Sequence, residues 1–498
     1  MSAPAGHAVH LAPVELDELD ELDAPDDDRT RRVPLWARRH AGRATATVVA
    51  LVLVLLGVQS WLDARERARL RYLAEVPGVL RALADPPGVL WRWTPGVGAL
   101  VAGDSAGGWA VGADYHPGGV TLRGTDPDTG DRRWSVPFSL DAALPPGGRS
   151  EFPSVWVRCS TVRSDDAPLA VCAAEVSPVA SGGAATPLAV LDPVTGSVVA
   201  TPTVPAGSLW AATGGLLVRA TPAEDGRGGV RWTLTATDPV TGSVQWRHGT
   251  PVVPQVHEVR IGDYVIRSEP DLAADADRVL LTDSGHAWLF GADGSPRGDV
   301  TVATDGWAEL GRSGTLVWMP WQNFAVPAGV LVTRAGTRVA VGELPARLSV
   351  DDGTAPEVVL LTGDDGGWDG VALVARDAGT GDELWRAEGV RGEPLLVDGV
   401  VHTAEGADVV ARDARTGEVR WSVPVGAVPA WLGTDGSLVV VVTPDRSLLA
   451  LDLADGRRAR SVDLTRLAPG DPVGIDQVVE YAGRLLVRFR DGSGIVLG

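Results

Sequence analysis

Hydrophobic positions follow two patterns along this chain. From Ala44 to Leu62 the sequence reads ATATVVALVLVLLGVQSWL, nineteen residues without a charge. At about 1.5 Å of rise per residue a helix of that length covers roughly 28 Å, the depth of a bilayer's hydrocarbon. A transmembrane helix over 44–62 is therefore expected. A cleaved leader fits less well, because 43 residues precede the span and no small-x-small site stands before the charged run that begins at Asp63. Beyond the span, residues 63–87 read as a helical stalk interrupted at Pro77 and ended by Pro86-Pro87. From residue 88 onward the pattern becomes one of short alternating or wholly apolar runs between Gly-, Pro- and Asp-rich turns, which predicts β-hairpins throughout 88–498.

The hairpins repeat. Asp126, Gly130 and Trp134 stand in DPDTGDRRW, Asp238, Gly242 and Trp246 in DPVTGSVQW, Asp377, Gly381 and Trp385 in DAGTGDELW, and Asp413, Gly417 and Trp421 in DARTGEVRW. Two weaker copies carry Asp192 and Gly196 with Ala200 in place of the tryptophan, and Asp452 and Gly456 with no aromatic residue. In each copy the glycine supplies a positive φ, and the Asp and Thr can bond the turn's own backbone, so these residues are first of all turn formers. Successive Asp residues lie 36 and 39 positions apart at the compact end and 46 and 66 at the looser end. A unit of about 40 residues holds four short strands, the size of a propeller blade. The motif-free gap between Asp293 and Asp377 should hide a degenerate unit, with LVTRAGTRVAVGEL at 331–344 as one of its strand pairs. The C-terminal run QVVEYAG, RLLVRFRDG, SGIVLG offers three strands and stops, while LWRWTPG at 90–96 reads as a fourth with nothing before it. Pairing the two would close a ring and hide its edges, and Trp91 or Trp93 would complete the tryptophan set.

The pattern Ala411-x-Asp413-x-x-Thr416-Gly417-x-x-x-Trp421 resembles the pyrroloquinoline-quinone-like (PQQ-like) β-propeller repeat, over about residues 88–498. The resemblance implies an all-β, eight-bladed propeller, with seven to nine blades compatible with the spacing. It also implies that Trp134, Trp246, Trp385 and Trp421 dock one blade on the next, each worth on the order of 3 to 5 kcal/mol against alanine. The family contains quinoprotein alcohol dehydrogenases and non-enzymatic members such as the lipoprotein of the outer-membrane β-barrel assembly machine. In its enzymes adjacent cysteines lie against the quinone, and a Glu, Asn and Asp set holds calcium. Here no two cysteines are adjacent and the sole asparagine is Asn323 in motif-free sequence. Neither PQQ nor Ca²⁺ is expected as a cofactor.

Composition and charge narrow the function. Eighteen Trp against 4 Tyr and 5 Phe is the surplus that the repeat partly explains, and every basic residue is arginine. Residues 1–28 carry nine acids and no arginine, residues 29–43 six arginines and no acid, and the net charge of the whole is −20. So acidic a body is a poor partner for nucleic acid phosphates. Residues 1–43 read as a disordered acidic cytoplasmic tail with a basic juxtamembrane segment. Six arginines before the span against Arg65, Arg67, Arg69 and Arg71 after it put the N-terminus in the cytoplasm and the propeller outside. Leu16, Leu19 and Leu22 could dock that tail on a partner, which is the reading of the chain as a sensor. In an oxidising compartment Cys159 and Cys172, in VWVRC and LAVCAA, would form a disulfide across a hairpin, closing a loop of about 14 residues worth near 3 kcal/mol. Eight scattered histidines show no ligand or catalytic spacing, and Asp364, Asp365 and Asp369 read as a solvated loop tip rather than a calcium site. The expected role is a non-catalytic binding module for protein, peptide or glycan partners in the cell envelope. A PQQ- or calcium-dependent oxidoreductase and a transmembrane sensor are the alternatives.

Overall fold

The computed structural model describes residues 35–93, 99–101, 110–116, 119–139, 154–164, 167–177, 185–254, 259–261, 264–266, 270–301, 306–320, 329–363, 370–467 and 474–498. The acidic tail, Asn323 and the aspartates of 364–369 lie outside them. Two compact units divide between Arg67 and Ala68.

One helix, α1 (Leu35–Leu73), runs for 39 residues. Its apolar side chains from Leu51 to Leu62 are uncovered on every face: Leu51, Val52, Leu53, Val54, Leu55, Leu56, Val58, Trp61 and Leu62 are each 47–63% exposed. Among the described residues no helix is long and apolar enough to cross a membrane. Within the expected 44–62 span, the side chains described are those of Thr47 and of Ala50 onward.

The second unit is all-β. Among the described residues its strands form a two-stranded hairpin (Val259–Ile261 with Tyr264–Ile266), seven antiparallel sheets of four or five strands and one sheet of eight. The eight-stranded sheet is two groups joined through the long strand Glu383–Val397, which pairs with Val371–Asp377 along its first half and with Val400–Glu405 along its second. Nearly every group arises from one contiguous stretch as a meander, because short turns can join only antiparallel neighbours. The degenerate stretch at 331–344 contributes the paired strands Gly329–Val332 and Arg338–Val341. The exception is the group of Ile475–Tyr481, Arg484–Phe489 and Gly494–Leu497, whose fourth strand is Val89–Trp93 from the far end of the unit. Trp91 lies opposite Val496 and Trp93 opposite Gly494, while Gly88 and Gly498 exchange backbone hydrogen bonds of 3.1 Å. The expected pairing of LWRW with the C-terminus is thus present.

Each group is apolar on both faces because each is covered on both sides. In Leu438–Val442, Val439 and Val441 join a cluster with the preceding sheet through Val409, Ala411 and Trp421, whereas Val440 and Val442 join the following one through Leu485, Val487 and Phe489. Such runs read as wholly hydrophobic rather than alternating. Nine apolar clusters among the described residues link the groups in chain order, and the last joins Tyr481, Leu486, Val496 and Trp93 to Ala110 of the first four-strand group. Trp210, Trp232, Trp288 and Trp318 are buried in these clusters, which accounts for more of the tryptophan surplus.

The residues expected as a stalk divide at the unit boundary, and those from 68 onward belong to the sheet unit. Leu73, Val76 and Val79 are buried in one inter-sheet cluster, and Leu80 and Leu83 in the next. The segment bonds to the sheets' backbone as well: the Leu80 amide donates to the Thr434 carbonyl at 2.8 Å and the Arg81 amide to the carbonyl of Gly483, in a turn, at 2.7 Å. Tyr72 Oη donates to the Asp352 carbonyl at 2.6 Å, and Arg69 pairs with Asp398. Apolar residues at 73, 76, 80 and 83 keep a helix-like spacing, but the helix ends at Leu73 and the later ones are buried from irregular backbone.

Candidate functional site

The repeated Asp-x-x-Thr-Gly turn is built the same way in every copy. The first residue's amide donates to the carbonyl five positions on, and the glycine amide donates back to the Asp carbonyl, as in Asp126/Asp131 (2.9 Å) and Gly130/Asp126 (2.8 Å). The same pair of bonds recurs at Asp192, Asp238, Asp377, Asp413 and Asp452. Each Asp side chain accepts from the amides inside its turn; Asp413 Oδ1, for example, takes those of Arg415 and Thr416 at 3.0 Å. Arg133 and Arg420 hold the carboxyls of Asp126 and Asp413 below the usual range. The Thr241 and Thr380 amides do so for Asp238 and Asp377. Asp128 bonds Arg484 at 2.8 Å. These acids are spent on backbone and arginine, which argues against a calcium role for the Asp126-to-Asp131 turn. Among the described residues no group of three or more His, Cys, Asp or Glu could hold a metal ion.

Downstream of each turn, one strand position reaches across to the next sheet. Trp134 Nε1 donates to the Pro193 carbonyl at 3.0 Å, Trp246 to Ala292 at 2.9 Å, Trp385 to Ala414 at 2.8 Å, and Trp421 to Leu453 at 3.3 Å. Trp91, not Trp93, completes the set, donating to the Pro127 carbonyl at 3.0 Å. In every case the acceptor is the second residue of the neighbouring turn, and the ring lies against that turn's glycine. Gly130, Gly196, Gly294, Gly417 and Gly456 have φ between 72° and 79°, and a Cβ on any of them would overlap the indole. Glycine is required there for the turn and also for the dock.

Four junctions lack the tryptophan. Val339 covers Gly381 in its place. Ala200 leaves Gly242 with nothing within 4 Å of a built Cβ. Arg460 holds the position where the chain ends meet, and its guanidinium donates to the carbonyls of Leu83 and Ala84 at 3.0 Å each. At the fourth junction the position is Gly298, facing the turn glycine Gly336, and neither has a neighbour within 4 Å of a built Cβ. A cavity of about 920 Å³ opens there, with Leu289, Val300 and Leu316 in its lining and Arg297, Asp299 and Arg338 among its charged groups.

The flanking turns at this junction, Gly291–Ser295 and Thr333–Thr337, are one residue shorter than the Asp turns and do not begin with Asp. The six-residue motif therefore missed Gly294 and Gly336, although a positive-φ glycine at blade spacing was there to be read.

Cys159 and Cys172 face each other directly on adjacent strands, with Cα atoms 4.1 Å apart, and form the expected disulfide. Both cysteines are thus joined to each other across the hairpin. His402 is fully buried beside Trp421, with ring centroids 5.5 Å apart, and burial lowers its pKa to about 4 against a partial opposing effect of the Leu453 backbone.

No curated protein matches this sequence. Among solved structures the chain is similar to BamB from Moraxella catarrhalis at 15% identity and a TM-score of 0.38, over 82% of this chain and 99% of that one. It is similar to the computationally designed Ika8 protein at 14% identity and a TM-score of 0.37, over 84% and 99% of the two chains. Sqt1 of Saccharomyces cerevisiae follows at 12% identity and a TM-score of 0.35, over 69% and 97%. The sequence itself is more specific: residues 369–496, which contain the docks of Trp385 and Trp421, match the PQQ-like repeat family described as outer membrane protein assembly factor BamB.

Proposed function

We propose that the chain is a non-catalytic, membrane-anchored β-propeller that binds protein partners in cell-envelope assembly. The observation that carries this reading is the use of the motif residues inside the family-matching stretch. Asp377, Gly381, Trp385, Asp413, Gly417 and Trp421 all serve turns and docks, so the recurring residues of the repeat are consumed by architecture. What is left for function is surface, which suits recognition. No quinone, calcium or nucleic acid has a part in it.

The nine clusters linking successive sheets, the last returning to the first, support a closed ring of nine blades, at the upper end of the seven-to-nine expectation. The anchor rests on the uncharged 44–62 run and on the band of exposed leucines and valines from 51 to 62, which water would not leave uncovered. The arginine excess before that run supports an N-terminus in the cytoplasm and a propeller outside.

Crosslinking intact cells that express the tagged full chain, followed by alkaline extraction of membranes and mass spectrometry, tests the proposal. It expects the chain to resist extraction and to carry envelope proteins. Release into the soluble fraction would remove the anchor, and an absence of crosslinked protein would remove the binding role.

A further inference from the structure

We propose that the cavity at the Gly298–Gly336 junction is a recognition slot for a tryptophan side chain of a protein partner. This deepens the protein-binding reading and relies on it only for where the tryptophan comes from.

The five filled junctions define what the slot accepts. In each, an indole lies over a positive-φ glycine and its N–H meets the carbonyl of the turn's second residue. At the junction between the sheets containing His286–Gly291 and Gly329–Val332, the glycine is kept as Gly336 with φ 82° and the carbonyl as that of Arg334, while the chain supplies Gly298 instead of the indole. Gly298 stands opposite Leu289 in the register where Trp246 stands opposite Ala236 and Trp421 opposite Ala411. The backbone mould is present and its filling is absent. Val339 and Arg460 show that a junction without tryptophan can be closed by other side chains, so an open one is not a general consequence of losing the indole.

The chemistry of the walls suits an entering aromatic residue. Leu289, Val300 and Val332 contribute apolar surface; the charged groups of the lining are of both signs, Asp275, Asp293 and Asp299 among the carboxylates and Arg297 and Arg338 among the guanidinium groups, and the guanidinium groups favour an aromatic face. Tryptophan, with Tyr and Arg, is enriched among the side chains that anchor protein interfaces in well-packed pockets.

The test uses the purified full chain and N-acetyl-tryptophanamide as probe, with N-acetyl-alaninamide as its control, read by ligand-detected NMR. Saturable binding of the indole probe alone is expected. Gly298→Trp, which fills the slot from within, should raise the melting temperature and make binding roughly tenfold weaker or abolish it. Ala200 and Gly242 form a second uncovered pair, but Ala200 packs into the apolar cluster of Trp210 and Leu217, so Ala200→Trp should leave binding unchanged. A photoreactive form of the probe should label peptides within 278–300 and 314–338 of the wild-type chain, a readout that does not depend on any variant folding. No saturable binding, equal binding to Gly298→Trp, or labelling confined to other peptides would overturn the slot. Because no membrane or cellular partner enters the measurement, its failure is separate from failure of the envelope role.

Discussion

His402 is a polar residue that the sheets bury completely, and its environment turns burial into a pH dependence. Its folded pKa of about 4 lies below the ordinary 6.5 because the charged ring has lost its water. Above pH 6.5 both folded and unfolded chains carry it neutral, and the stability is intact. As pH falls from 6.5 towards 4 the unfolded chain takes the proton first, so stability is lost, by about 3 kcal/mol over that window. The turn carboxylates act in the same direction lower down: their depressed pKa values stabilise the fold above the ordinary carboxylate range and cease to do so as pH drops through it. Urea melts of the wild type between pH 7 and 4.5 should show the loss, and His402→Gln should flatten it. A wild-type midpoint that is level across the window would contradict the assignment. At this scale the sequence was informative where a residue type does one job repeatedly: Asp126, Gly130 and Trp134 were readable as a turn and a dock. His402 and Arg460 were opaque, since a histidine in a valine-rich strand and an arginine in RRAR give no sign of the burial or the chain-end carbonyls they meet.

Val89–Trp93 is the element that joins the two ends of the sheet unit. Its register with Gly494–Leu497 places Trp91 over Gly130 of the first four-strand group, and Arg460 fixes the chain just before it through Leu83 and Ala84. One strand therefore completes one sheet and docks it on the next. Deleting residues 89–93 removes both contributions and leaves the edge of Gly494–Leu497 open to other chains. The deletion should lower the melting temperature by several degrees and promote aggregation. An unchanged, cooperative melt would show that the closure is dispensable. This pairing was legible because strands with no partner must find one. The stalk was less so: Leu73, Val76, Val79, Leu80 and Leu83 are apolar for contacts with sheet residues more than 270 positions away in sequence, which a local reading cannot reveal.

At the scale of the whole molecule the proposed ring follows from repeated use of one junction, filled by tryptophan at five places, by valine or arginine at two, and left uncovered at Ala200 and Gly298. Eight blades were expected, with seven to nine compatible with the spacing, and the motif gives no count where the turns are one residue shorter and do not begin with Asp, at Gly291–Ser295 and Thr333–Thr337. Counting clusters between sheets instead leads to nine, because packing is kept where motif residues are not. The cavity at Gly298 lies between two of these shorter turns. Electron cryomicroscopy of the purified full chain measures the central claim most directly. The account expects class averages with a closed ring of nine blades; a ring of any other number, or an open arc, would contradict it.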